Sequence, residues 1–293
     1  MEKYNTEQIS VIIPVYNEEE GLKQILPEIL RLKEEFNIAE TIVIDDCSTD
    51  NSRVVAEKLG VKVIRHNKNL GYGASLKTGI KNASNEILVF LDGDGQHNPS
   101  DIKKMVDKLK EGNDIVIGER VNADKLAGKR KLGKYVLNWV TNFIARTKIS
   151  DVNCGFRATR KSVIEKYLGL LSDQFSFSVS STIVFIKNGH RVEFCKIQAR
   201  ERKGISQVKQ IKDGIMFIIL IIRLIALFDP LRIFFSIAIF LFAVGTIYGG
   251  YKFFTVKQGL AVGALMIVLC GILSALLGIV CDQIASLRLE KYK

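Results

Sequence analysis

The stretch 86–99, EILVFLDGDGQHNP, ends an apolar run in two aspartates, Asp92 and Asp94, with one glycine between them. Gly93 and Gly95 permit a tight turn on which both carboxylates aim at one point. Bare carboxylates held that close repel, and one takes up a proton. A divalent cation removes the conflict, and oxygen-only donors suit Mg2+ or Mn2+ rather than zinc. Mg2+ keeps few protein ligands and takes the rest from phosphates and water. The pattern therefore predicts a site for a metal-bridged diphosphate. His97, just before a helix-starting Asn-Pro, reads as a solvent-facing residue rather than a ligand.

These carboxylates need elements to position them. The runs 9–16 (ISVIIPVY), 41–46 (TIVIDD), 61–66 (VKVIRH), 86–92 (EILVFLD) and 114–120 (DIVIGER) read as buried strands. Amphipathic stretches at 18–36, 50–59, 72–83 and 99–111 read as the helices between them. Continuous Val/Ile/Leu runs joined by helices predict an α/β domain whose parallel sheet is covered on both faces. Ligands bind such sheets beyond the carboxyl ends of the strands. Tyr16, Asn17 and Glu18 follow the first strand, Asp45 and Asp46 end the second, and Asp92, Asp94 and Gln96 end the fourth. Three polar clusters thus converge on one edge. Asp50 reads only as a helix cap.

Beyond residue 214 the chain of 293 residues turns almost wholly apolar. A spanning helix needs about 20 apolar residues, and the segments 231–253 and 259–281 are both long enough. The short link FTVKQ makes them an antiparallel hairpin. The segment 214–228, interrupted by Arg223, reads as a helix lying in the membrane interface, with a third span as the alternative. The polar start, Met1–Gln8, has no signal-peptide pattern. Positive charge in the polar region and in the tail RLEKYK places both on the cytoplasmic face of a multi-pass membrane protein. The net charge of +11 then suits anionic membrane lipids, and nucleic acid is not an expected partner. Cys47, Cys154, Cys195, Cys270 and Cys281 are odd in number and scattered, which predicts reduced thiols and no zinc site.

The segments VIIPVYNEEE, IVIDDCSTD, NLGYGASLKTGI and LDGDGQHNP, in this order, resemble the successive signatures of family 2 glycosyltransferases with the GT-A fold. DVNCGFRATR (151–160), VEFCKI (192–197) and RKGISQ (202–207) resemble later signatures of the dolichyl-phosphate mannose synthase and polyprenyl-phosphate glycosyltransferase branch. That branch often carries C-terminal membrane helices. The resemblance implies a GT-A domain over 1–211, an interfacial helix over 212–229 and a hairpin with its tail over 230–293.

It also implies site residues. Pro14, Tyr16, Glu18, Ile44 and Asp46 would line a nucleoside pocket, with Asp46 accepting from the base and Glu18 from the ribose. Asp92 and Gly93 would face the nucleotide sugar, and Asp92, Asp94 and Gln96 would hold the metal. Arg202 would meet the donor diphosphate. Gln207 stands where the family often has a lysine, so one positive contact of the pattern is missing. The basic stretch with Arg120, Lys129, Arg130, Lys131 and Lys134 leads into a helix bearing Trp139 and Phe143. Arg130, Arg120 and Arg157 would contact an acceptor phosphate, for which arginine's planar fork is suited. The segment 175–185 lacks an acid that related sequences often carry, and the identity of the sugar is expected to be set there or near Glu193.

The implied reaction is inverting transfer of a hexose from a UDP- or GDP-linked sugar to a dolichyl or undecaprenyl phosphate. Such a phosphate is already an anion, so a general base is scarcely needed. Asp151 is the best carboxylate for one, and a structural cap or an arginine partner is its competing role. Asp94, Arg130 and Asp151 make up the catalytic set. The alternatives are a polysaccharide or glycolipid synthase with a hydroxyl acceptor and a non-catalytic membrane scaffold. The QxxRW element of processive synthases does not appear in the sequence. A dinucleotide oxidoreductase needs a glycine-rich turn after the first strand, where PVYNEEE stands.

Overall fold

The computed structural model describes residues 5–121, 141, 142, 147, 149–174, 176–200, 229–256 and 261–290. Two compact units divide the chain, Met1–Lys209 and Gln210–Lys293. Among the described residues the first unit runs β1 (Asn5–Val15), α1 (Glu19–Arg31), β2 (Ile38–Asp45), α2 (Ser52–Lys58), β3 (Lys62–Arg65), α3 (Tyr72–Asn82), β4 (Asn85–Phe90), α4 (Asp101–Lys110), β5 (Ile115–Arg120), β6 (Arg157–Arg160), α5 (Lys161–Ile164), α6 (Phe177–Lys187) and β7 (Val192–Ile197). The five expected strands and four expected helices all form. The first helix stops at Arg31, short of residue 36, because the exposed Lys33, Glu34 and Glu35 extend no apolar stripe. Asn37, at φ 56°, then turns the chain into β2.

Local chemistry explains the elements. Helix α1 buries Leu22, Ile25, Leu26 and Ile29 on one stripe, with Glu19 and Glu20 in its first turn and Arg31 in its last. Those charges oppose the helix dipole at each end. In β1, the consecutive residues Val11, Ile12 and Ile13 are all buried. Successive strand side chains point to opposite faces, so both faces of the sheet are covered.

The strand order is β3-β2-β1-β4-β6-β5-β7. Strands β1, β2, β3 and β4 pair in parallel, as do β5 and β7. Strand β6 runs antiparallel between β4 and β5, with Phe90 and Ile117 both opposite Arg157. The all-parallel expectation is therefore corrected to a mixed sheet. The sequence RATR has no apolar run to announce a strand. It is one because two flanking ladders satisfy its backbone, while Thr159 Oγ1 donates to the Asp114 carbonyl at 2.9 Å.

The second unit contains two long helices, α7 (Pro230–Val256) and α8 (Val262–Glu290). Gly278 abuts Phe234, Gly271 abuts Leu241 and Phe242, and Gly245 abuts Ile267 and Val268, so the pair is antiparallel. Ser274 Oγ donates to the Phe234 carbonyl at 3.1 Å. The outward faces carry large apolar residues in the open, among them Ile247 at 73% and Phe254 at 80% exposure. Helices apolar on every side suit lipid rather than water. Each has the length and composition to cross a membrane; at 1.5 Å per residue they run to about 40 Å, against a hydrocarbon core of about 30 Å. The expected interfacial helix at 214–228 lies outside the described residues. So do Lys129–Val140 and Phe143.

All five cysteines are free thiols. Burial, with the Asp151 charge adding to it, pushes the Cys154 thiol up to about 12, and burial also raises Cys195. Since only the thiolate reacts, a thiol reagent at pH 8 should label the half-exposed Cys47 of the folded first unit and spare Cys154 and Cys195. Unfolding should release all three, which mass spectrometry of the labelled peptides would show.

Candidate active site

The parallel strands β1, β2, β4 and β5 present their carboxyl ends at one rim. The chain winds from β1 to β2 and β3 on one side, then crosses back to place β4 on the other side of β1. That reversal opens a crevice between the loops after β1 and β4. An antiparallel strand enters from the rim that its parallel neighbours leave. The lead-in to β6, which contains Asp151 and Gly155, therefore lies at the same rim.

Asp92 and Asp94 follow β4. Asp92 Oδ1 accepts from the Tyr72 hydroxyl at 2.8 Å, and Oδ2 faces His97 Nε2 at 3.3 Å. Burial works against the Asp92 charge, but His97, Tyr72 and the Arg120 charge outweigh it and hold the carboxyl below the ordinary aspartate value. An ionised carboxylate only accepts, so His97 Nε2 is the donor. Behind the carboxylate lies Gly155, where an added Cβ would overlap both Asp92 oxygens. Asp94 is 9% exposed, and its Oδ1 accepts from the Gln96 backbone N–H at 3.0 Å. Gly95, at φ 77°, makes the turn possible. Among the described residues no three His, Cys, Asp or Glu side chains gather into a ready metal cage. Two carboxylates and an amide are nonetheless all hard donors, and they fit a Mg2+ or Mn2+ that completes its shell with phosphate and water.

His97 is corrected: it is 2% exposed, not solvent-facing, and its ring lies 5.4 Å from that of Phe156. The Asn-Pro that follows forms a turn that leads into α4, which starts at Asp101, two residues later than expected. One residue before the Asn-Pro the His97 side chain turns inward, where Phe156 and the Asp92 carboxylate receive it.

The loops after β1 and β2 are stitched together. Asn17, at φ 56°, accepts at Oδ1 from the Thr49 N–H at 2.7 Å. Its own N–H donates to Ser48 Oγ at 3.0 Å, and the Glu18 N–H to Ser52 Oγ at 2.9 Å. Asp50 accepts from the N–H groups of Ser52 and Glu19, in keeping with its reading as a cap. Tyr16 stands 37% exposed at the rim, with Pro14 and Ile44 paired in register in the strands below. Asp46 is differently placed than expected. It is buried, and its carboxylate accepts from His66 Nδ1 at 2.7 Å and from the Leu70 and Gly71 N–H groups at 2.8 Å each. Three of about four acceptor positions on a carboxylate thus hold the loop that leads into α3.

Arg120, at the end of β5, forms a two-pronged ion pair with Asp151, Nε–Oδ2 2.7 Å and Nη2–Oδ1 3.0 Å. Of the roles open to Asp151, the arginine partner is the one seen here. Burial opposes the Arg120 charge, but Asp151 more than restores it and raises its pKa. Arg157 requires a correction. It is 1% exposed, and Nε, Nη1 and Nη2 donate to the Cys154 carbonyl, to Ser181 and Thr182, and to the Val152 carbonyl, all at 2.8–2.9 Å. It is an internal strut that ties the 151–156 loop to α6, with its guanidinium nitrogens engaged inside the fold. The segment 175–185 accordingly supplies hydroxyls to that strut. Glu193 is likewise corrected: it lies in register with Val116, toward the opposite end of the ladder, and pairs with Lys108 at 2.7 Å.

After β7 the chain returns to the rim, where the Arg200 N–H donates to the Gln96 carbonyl at 2.8 Å and its guanidinium grips Glu28 and Asn98. Arg202, Gln207 and Arg130 lie outside the described residues. Tyr72, His97 and Gly155 were missed as site residues. For Gly155 and Tyr72 the only signal was membership in the motifs that contain them.

Two substitutions test this geometry. Gly155→Ala should displace the Asp92 carboxylate and cut activity by about tenfold or more while the melting temperature falls only modestly, at the scale of a small overpacking error. Arg157→Lys should lower stability by about 3 kcal/mol, since several buried acceptors lose a planar donor fork. Thermal denaturation would show that loss, whereas a phosphate-binding residue would change acceptor affinity and leave melting unmoved.

Comparison with known proteins bears on this arrangement. Residues 10–168 match the model of glycosyl transferase family 2, and residues 229–287 match that of the GtrB C-terminal hairpin. The chain is 36% identical over 170 residues to a dolichol-phosphate mannosyltransferase of Pyrococcus furiosus, covering 54% of this chain and 47% of that one. It thus spans about half the length of that relative. It is 35% identical over 199 residues to an uncharacterized protein of Methanocaldococcus jannaschii, covering 64% of this chain and 80% of that one. Glycosyltransferase AglJ of Haloferax volcanii is 27% identical over 299 residues, covering 97% and 96%. Among solved structures, glucosyl-3-phosphoglycerate synthase from Mycobacterium tuberculosis, in complex with Mn2+, UDP and phosphoglyceric acid, superposes with a TM-score of 0.63 at 20% identity, covering 75% of this chain and 78% of that one. That likeness concerns the fold. The chain belongs to glycosyl transferase family 2, as an enzyme whose GT-A-like α/β unit is followed by a two-helix hairpin of the GtrB type.

Proposed function

We propose that this enzyme transfers a hexose, with inversion, from a nucleotide-diphosphate sugar to a polyprenyl phosphate at a membrane. The observation that carries the reading is the crevice rim. Asp92 and Asp94 stand there with the Arg120–Asp151 pair, and the Arg120 charge acts on Asp92. An anionic turn that suits a metal-bound diphosphate and a cation that suits a phosphate are the two polarities this reaction needs. The relatives named as polyprenyl-phosphate transferases support the acceptor class. The apolar hairpin supports a membrane location, with the polar unit and the C-terminus on the cytoplasmic face by the distribution of positive charge.

In this reading Asp94 and Gln96, with Asp92 beside them, hold a divalent cation, which when bound stabilises charge on the departing diphosphate. Glu18, Tyr16 and Gly93 border the nucleoside end. Arg120 steers the acceptor phosphate, and Asp151 fixes the plane of its guanidinium. Arg130 adds a second contact to the acceptor. Arg202 would meet the donor diphosphate, as the family resemblance implies. The acceptor oxygen is already anionic, so positioning supplies much of the acceleration. Attack in line with the leaving diphosphate inverts the anomeric centre. Engagement of Asp151 by Arg120 favours the phosphate acceptor over a hydroxyl acceptor, which would call for a free base.

The test is a panel of labelled UDP- and GDP-sugars with dolichyl or undecaprenyl phosphate, read as label extracted into organic solvent. Asp94→Ala should lower lipid-linked product by about a hundredfold or more, the scale of losing one contact to developing charge, with melting unchanged. Full turnover by that variant, or labelled product that stays in the aqueous phase, would sink the proposal.

A further inference from the structure

The stretch GYGASLKTG, singled out in the sequence, is not used by the function proposed above. Its second residue, Tyr72, opens α3 and reaches across the crevice floor to Asp92 Oδ1. A phenol hydroxyl keeps its proton at neutral pH, so Tyr72 is the donor in this contact. Ser178 on α6 lies beside the same hydroxyl. On the other carboxylate oxygen sits His97, buried against Phe156. Gly155 closes the third side.

The base of this clamp is fixed as well. Gly71 and Leu70, immediately before Tyr72, donate their N–H groups to Asp46. Gln174 Nε2 donates to the Leu70 carbonyl at 3.3 Å, and the Ala74 N–H donates to the Asp173 carbonyl at 2.9 Å. The phenol therefore projects from a pinned helix start, not from a loose side chain on a loop.

We propose that Tyr72, with His97, is a positioning residue that fixes the rotamer of Asp92, so that this carboxylate meets the nucleotide sugar already aligned. An aspartate on a glycine-flanked turn loses rotamer freedom when it binds. A carboxylate held by two donors in the free protein has lost that freedom beforehand, which favours binding. Because the loop before Tyr72 is fixed by Asp46, alignment of Asp92 is tied to the loop after β2. The inference rests on Asp92 being a donor-side group, as read above.

The experiment uses the full chain in detergent and titrates it calorimetrically with UDP and with GDP, each with Mn2+ and with EDTA. Steady-state KM values for donor and acceptor and melting temperatures accompany each titration. Tyr72→Phe, which keeps the ring, should weaken the nucleotide that wild type binds by about tenfold, the scale of one hydrogen bond to a charged group. It should raise donor KM by a similar factor and leave acceptor KM and the melting temperature unchanged. His97→Gln, whose amide can replace Nε2, should stay within about twofold of wild type, while His97→Leu falls with Tyr72→Phe. If Asp92→Asn weakens nucleotide binding but Tyr72→Phe does not, the positioning role is wrong and the donor-side reading of Asp92 stands. A lowered melting temperature with unchanged affinity in Tyr72→Phe also refutes it, leaving a structural role. If wild type binds neither nucleotide, the donor-side reading fails and this inference fails with it.

Discussion

The reversal of strand order at β1 decides most of what this chain can do. With β2 on one side and β4 on the other, the loops leaving β1 and β4 separate at the rim and leave a crevice between them. The polar side chains described at the rim are defined by their relation to that crevice. The short antiparallel β6 reinforces the effect, because its lead-in brings Gly155 and Asp151 to the rim the parallel strands leave. A fully parallel sheet would have sent that lead-in to the opposite edge.

Electrostatics then separates charges that look alike in the sequence. Asp92 is ionised within a set of donors, and Asp94 sits on the turn beside it. Asp46 has the same side chain and a similar place at a strand end, yet it spends its acceptors on a loop. The arginines divide in the same way. Arg120 is held at the rim by an ion pair, while Arg157 is buried among neutral acceptors, and burial lowers its pKa. The first cation faces an opposite charge at the rim; the second is enclosed by carbonyls and hydroxyls. A fully buried guanidinium persists because all its nitrogens find partners.

The second unit obeys a different solvent. Helices α7 and α8 bring glycines to their shared seam, where Gly245, Gly271 and Gly278 let the backbones close up, and they leave bulky apolar residues outward. Small residues inside and large ones outside is the packing logic of a lipid environment, in which burial of apolar surface gives no gain and close contact does.

Much of this was legible in the sequence. Hydrophobic runs placed five strands, 3.6-residue periodicity placed the four helices between them, and apolar length placed the hairpin, because each depends on local pattern. The two-aspartate turn was legible because glycines at fixed spacing force its geometry. The tertiary structure alone decided which polar residues face the crevice. Nothing local distinguishes Arg157 from Arg120, makes RATR a strand, turns His97 inward, or brings Tyr72 to Asp92 across 20 residues. Those outcomes depend on which distant groups remain to satisfy a buried donor or acceptor, and that is settled only when the elements pack.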